Sequence, residues 1–137
     1  MNTAPAAMAA APSLFLAFDF GTRRIGVASG NSLTGNAQPL STVSAQGGAR
    51  FEAIAKLIQE WQPSALVVGV PFHPDGAEHD NTRRARRFAH QLHGRFRLTV
   101  HEVDERYTTT EALALGAADV DAASASIILE QFLRTLE

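Results

Sequence analysis

The run Ala65-Leu66-Val67-Val68-Gly69-Val70 contains no polar side chain. A strand that alternates apolar and polar residues hides one face, but an unbroken run like this must be covered on both, as in a parallel sheet. Helical patterns stand on either side of it. Phe51, Ile54, Leu57, Ile58 and Trp61 recur every three or four residues from Arg50 until Pro63 ends the pattern, and Ala85, Phe88, Ala89 and Leu92 share one side of a helix over Thr82–His93 that Gly94 stops. Leu14–Phe20 reads as another buried strand, Ile25–Gly30 as its hairpin partner, Leu98–Val103 as a further strand and Asp121–Leu136 as the final helix. Ala37–Val43 is a weaker strand that Pro39 confines to an edge. Strands alternating with helices after an opening hairpin predict an α/β sheet with helices on both faces.

The chain has 137 residues, one domain's worth, and 45% of them are hydrophobic, enough for a real core. Twelve basic against fourteen acidic residues exclude a histone-like, strongly basic binder while leaving room for a local basic patch. With no cysteine there is no disulfide framework, thiolate metal site or Cys nucleophile. No apolar run approaches the roughly 18 residues of a membrane span. Residues 1–12, rich in Ala and Pro, read as a flexible extension before a single domain over 13–137. Without a basic start or a long apolar stretch they do not resemble a secretory signal, which points to the cytoplasm.

Three acidic positions fall where such a sheet gathers ligands. Asp19 lies inside the first apolar run, a costly place for a carboxylate unless a partner or cation holds it. The plainer alternative is a hydrogen bond to the Gly21-Thr22-Arg23 turn. Asp104-Glu105-Arg106 follows the Leu98–Val103 strand. Because strand residues alternate between faces, only one of Asp104 and Glu105 can share a site with Asp19, and the sequence leaves open which. Asp121 shares a helix face with Ala125, Ile128 and Phe132, although it could simply cap that helix. Carboxylates converging from two strand ends and a helix suit Mg²⁺ or Mn²⁺, with two ions about 4 Å apart serving phosphodiester hydrolysis. His101 is a possible base, and His73 and His79 lie in the loop Pro71–Asn81; the five histidines show no metal-ligand spacing.

Arg83, Arg84, Arg86 and Arg87 place four charges in five positions of one helix, with Arg95 and Arg97 close behind. They suit phosphate contacts, as they would a solvated face. Arg23, Arg24 and Arg106, beside the acids, join Arg83, Arg84 and Arg87 as candidate nucleic-acid contacts.

The stretch Ala17-Phe18-Asp19-Phe20-Gly21-Thr22-Arg23-Arg24-Ile25-Gly26-Val27-Ala28 resembles the opening motif of the YqgF family, Holliday-junction resolvases and nucleases that process pre-16S ribosomal RNA. Val67–Pro71 through Asp75-Gly76, Val103-Asp104-Glu105-Arg106-Tyr107-Thr108-Thr109 and the helix Asp121–Leu133 are similar to three further blocks of that family, in order, over about residues 14–134. The resemblance implies an RNase H-like fold with a central five-stranded mixed sheet. It also implies metal-dependent phosphodiester hydrolysis with Asp19, Glu105 or Asp104, and Asp121 as the matching acids, on structured RNA such as pre-16S rRNA or on branched DNA, with ribosomal particles as a potential context. One departure stands out: residues 113–119 are shorter than the family's usual loop, without its basic residue. A monomer is expected, since no apolar interface stripe is visible. The competing readings are a binding module that cleaves nothing and an actin-like ATPase, for whose second lobe the chain has no room.

Overall fold

The computed structural model describes residues 13–21, 23–44, 47–73, 75–105 and 120–136. The expected N-terminal extension, the helix start at Thr108–Glu111, the short 113–119 segment and Arg106 lie outside the described residues.

Five strands form one mixed sheet: β1 (Leu14–Phe20), β2 (Arg24–Asn31), β3 (Ala37–Ser44), β4 (Ala65–Pro71) and β5 (Val100–Glu105), in the spatial order β3-β2-β1-β4-β5. The β1–β2 and β2–β3 pairs are antiparallel, and the β1–β4 and β4–β5 pairs are parallel. Helices α1 (Ala49–Trp61) and α2 (Asp80–Phe96) cover one face, and α3 (Val120–Arg134) covers the other. No described helix is long and apolar enough to cross a membrane.

Strand parity divides the two cores. Leu16 and Phe18 of β1, Ile25 and Val27 of β2, and Leu66 and Val68 of β4 pack under α1 and α2 against Phe51, Ile54, Phe88 and Leu92. Phe15, Ala17, Ala65 and Val67 point the other way, to Ile128, Leu129, Phe132 and Leu133 of α3. Each fully buried large side chain contributes on the order of 1.5–3 kcal/mol. Phe88 is the hub of the first core, its ring edge-on to Phe18 and close to Phe20 and Phe51.

The boundaries of α2 and β5 differ from the sequence expectation at both ends, and α3 ends at Arg134 rather than Leu136. Helix α2 does not stop at Gly94: it continues to Phe96, which packs on the core, and closes at Arg97, whose positive φ of 59° brings its N–H to the His93 carbonyl at 2.9 Å. A glycine in a last turn costs about 1 kcal/mol, less than a partly buried Phe returns. The same helix begins at Asp80, two residues early, because His79 caps it: its Nδ1 accepts from the Asn81 N–H, and Thr82 Oγ1 accepts from the His79 N–H. Strand β5 starts later than Leu98 and runs past Val103 through Asp104 and Glu105, since β4 offers pairing partners as far as Pro71. Edge strand β3 accommodates Pro39 beside a bulge, where the register on β2 shifts between Val27 and Ala28.

Candidate active site

Parity also decides which acids meet. Asp19 follows Phe15 and Ala17 onto the α3 face, and Glu105 follows His101 and Val103 there. Asp104 has the opposite parity and is exposed. The carboxyls of Asp19 and Glu105 are hydrogen-bonded to each other, although their strands are separated by β4. The pair therefore contains Glu105, and Asp104 is not part of it.

Glu105 is buried, only 9% exposed, and Asp19 is half-buried beside it. Burial pushes the Glu105 carboxyl up to about 9, and the charge and hydrogen bond of Asp19 push in the same direction. Burial likewise raises Asp19 to about 6; donation from Glu105 opposes that rise and the nearby charge of Asp121 adds to it. At neutral pH the pair thus retains a proton, with Glu105 donating and Asp19 accepting.

Asp121 sits in the first turn of α3, where its backbone lies directly over Gly26 of β2. Its Oδ2 accepts from Arg24 Nε at 2.8 Å. Arg24 is 68% exposed, so this ion pair is worth no more than about 1 kcal/mol and opens readily. Among the described residues, no three acidic or histidine side chains converge closely enough to hold a metal ion as they stand. The chemistry of the Asp19–Glu105 pair nevertheless fits a hard divalent cation. Two carboxyls held together largely out of water need either a shared proton or a cation between them, and both offer oxygen donors.

A family model described as "RuvX: Holliday junction resolvase" matches residues 13–135. The chain belongs to the RuvX family. Two relatives, each named "Putative pre-16S rRNA nuclease", come from a Polaromonas species (69% identical, covering 89% of this chain and 88% of the relative) and from Albidiferax ferrireducens (64% identical, covering 96% and 85%). Among solved structures, RuvC of T. thermophilus in complex with a Holliday junction substrate superposes with a TM-score of 0.56 at 16% identity, over 90% of this chain and 94% of that one. A second Thermus thermophilus RuvC structure gives 0.53 at 14% identity, over 89% and 95%. The fold is RNase H-like, as expected, and this RuvX-family chain is a nuclease that hydrolyses phosphodiester bonds.

The remaining sequence candidates divide by place. His101 stacks on Phe132, 4.7 Å between ring centroids, four residues upstream of Glu105 on β5 and away from the acid pair. His73 and His79 pack ring to ring at 4.7 Å in the loop after β4, where His79 is occupied in capping α2. Of the candidate arginines, Arg24 serves Asp121, Arg83 pairs with Asp80 at 2.7 Å, and Arg84 bonds Asn81 at 3.5 Å. Arg87 has no ion-pair partner among the described residues, and Arg23 is exposed in the bend before β2. Arg86, bound to both Glu78 and Glu102, lies against the Phe72 ring. The capping role of His79 was the signal most easily missed, because histidine is an unusual residue to start a helix.

Proposed function

We propose that this chain trims pre-16S ribosomal RNA during ribosome maturation in the cytoplasm, using Mg²⁺ or Mn²⁺ held by Asp19 and Glu105, with Asp121 completing the ligand set. The observation that carries this reading is the hydrogen-bonded Asp19–Glu105 carboxyl pair at the C-terminal edge of the parallel strands, where open α/β sheets receive ligands. The names of the two relatives supply the RNA substrate. Bound there by Asp19, Glu105 and Asp121, one or two divalent ions would supply charge that lowers the pKa of an attacking water and steadies the leaving oxygen. Arg24 turns from Asp121 to a substrate phosphate, while Arg23, Arg84 and Arg87 bind the backbone farther out and Arg83 joins them by leaving Asp80. Arg106 adds a further phosphate contact, and the chain works as a monomer.

Cleavage of branched DNA is the second reading, favoured by the description of the matching family. It requires two sites acting on opposite strands, hence a dimer. A competition between labelled precursor rRNA and a four-way DNA junction, run alongside a sedimentation measurement, separates the two. Preferential RNA cleavage by a monomer is expected; preferential junction cleavage by a dimer overturns the RNA assignment.

Ion binding should displace the proton that the pair shares. At pH 7.5, Mn²⁺ binding at the pair is expected to release about one proton in total, measured by calorimetry as a dependence of the observed heat on the buffer's ionisation enthalpy. An observed heat independent of the buffer would mean that the ion binds elsewhere. For the arginines, Arg84→Ala with Arg87→Ala is expected to weaken RNA binding and flatten its salt dependence. Each lost phosphate contact removes a log–log slope of roughly 0.7 on single strands or 0.9 on duplex DNA. An unchanged slope would make that helix face a solvated surface.

A further inference from the structure

Asp19 has a glycine on each side of it across the sheet: Gly26 on β2 and Gly69 on β4. Neither has a positive φ, so conformational freedom is not what these positions require. What they require is the missing side chain. A Cβ at Gly69 would stand 2.8 Å from Glu105 Oε2 and 2.4 Å from Ile128 Cδ1. A Cβ at Gly26 would stand 1.8 Å from the Asp121 carbonyl oxygen and 2.8 Å from the Ala122 nitrogen.

We propose that Gly26 and Gly69 are positioning residues of the nuclease, two gaps in the sheet surface: one lets Glu105 reach Asp19 from a strand not adjacent to β1, and the other lets α3 bring Asp121 down beside it. Glu105 starts two strands away, a separation of roughly 9–10 Å. Its carboxyl must pass across β4, and Gly69 is the place where β4 has nothing in the way. On the other side, α3 settles onto β2 at Gly26, which brings the first turn carrying Asp121 down to the sheet. Any side chain at 69 pushes Glu105 off Asp19, and any side chain at 26 lifts Asp121 away.

Gly69 also faces Ile128, so close helix packing alone would call for glycine there. Gly30 provides the comparison: its Cβ would meet the Asn36 carbonyl oxygen at 2.7 Å and Leu129 Cδ2 at 2.9 Å, equally crowded but beside no acid. The inference rests on the metal reading above, and the experiment keeps the two apart. Mn²⁺ affinity by calorimetry, thermal midpoint, and kcat and KM for RNA cleavage are measured for wild type, Gly69→Ala, Gly69→Ala with Ile128→Val, and Gly30→Ala. Ile128→Val removes the Cδ1 atom that would clash and leaves Cγ1 at 3.1 Å. Gly69→Ala is expected to weaken Mn²⁺ binding at least tenfold and to lower kcat by at least as much, with KM little changed. The double variant regains thermal stability but neither Mn²⁺ affinity nor kcat, and it carries the test should Gly69→Ala alone not fold. Gly30→Ala loses stability and keeps Mn²⁺ affinity. Recovery of affinity together with stability in the double variant, or an equal loss of affinity in Gly30→Ala, would overturn the proposal. Wild type failing to bind Mn²⁺ would instead overturn the metal reading and this inference with it.

Discussion

Asp19→Asn is expected to lower the cleavage rate by at least about 10³-fold while leaving the fold intact. Removing a group that merely orients a metal ligand costs 10–100-fold, and Asp19 is placed to be a ligand itself. The amide is close in size to the carboxylate, so Phe15, Ala17 and the α3 face need not move. It still accepts the proton that Glu105 donates, through its carbonyl oxygen. Circular dichroism and the thermal midpoint of the metal-free variant should therefore match or exceed those of wild type. A variant that unfolds would mark Asp19 as a structural residue of the β1 turn, and a variant that cleaves normally would remove it from the site.

Glu105→Gln is expected to abolish cleavage to a similar degree and, in addition, to change how metal-free stability responds to pH. The folded carboxyl titrates near 9 against an ordinary value of 4.5, so the folded protein holds a proton that the unfolded chain has released. The stability that this group contributes is complete below about pH 4.5 and is lost as pH rises toward 9. Asp19, raised from 3.8 to about 6, adds to the same trend at lower pH. Glutamine cannot ionise. Near pH 9 the metal-free variant should exceed wild type by roughly 1–3 kcal/mol, the scale of an uncompensated buried polar group. That corresponds to several degrees in thermal midpoint. At pH 4.5 the two proteins should melt together, and Mn²⁺ should close the gap at pH 9 by stabilising wild type alone. Parallel melting curves for both proteins across this range would show that Glu105 is not buried against Asp19.

Much of this architecture can be read from sequence because burial leaves periodic marks. The unbroken apolar run of β4 demands cover on both faces, and the stripes of α1 and α2 supply it on one side. The Asp19 site is legible for the opposite reason, a charge placed where the pattern has no room for one. The choice between Asp104 and Glu105 is different in kind. It depends on strand parity relative to β4, and six residues of β5 with an exposed edge do not fix that register locally. Gly94 misleads because a local helix breaker is outweighed by a tertiary contact, the packing of Phe96. The pairing of Arg24 with Asp121 and the glycines flanking Asp19 are invisible for a simpler reason: each joins residues far apart in the chain, and only the assembled sheet brings them together.

A metal-loaded Asp19–Glu105 pair cleaving ribosomal RNA precursor is a reaction with a direct readout. The most direct test incubates labelled precursor 16S rRNA with wild-type protein in Mn²⁺, in Mn²⁺ with excess EDTA, and with Glu105→Gln in Mn²⁺. Discrete cleavage is expected in the first reaction and intact RNA in the other two. Cleavage that survives EDTA, or RNA that is bound but uncut in all three, would contradict that assignment.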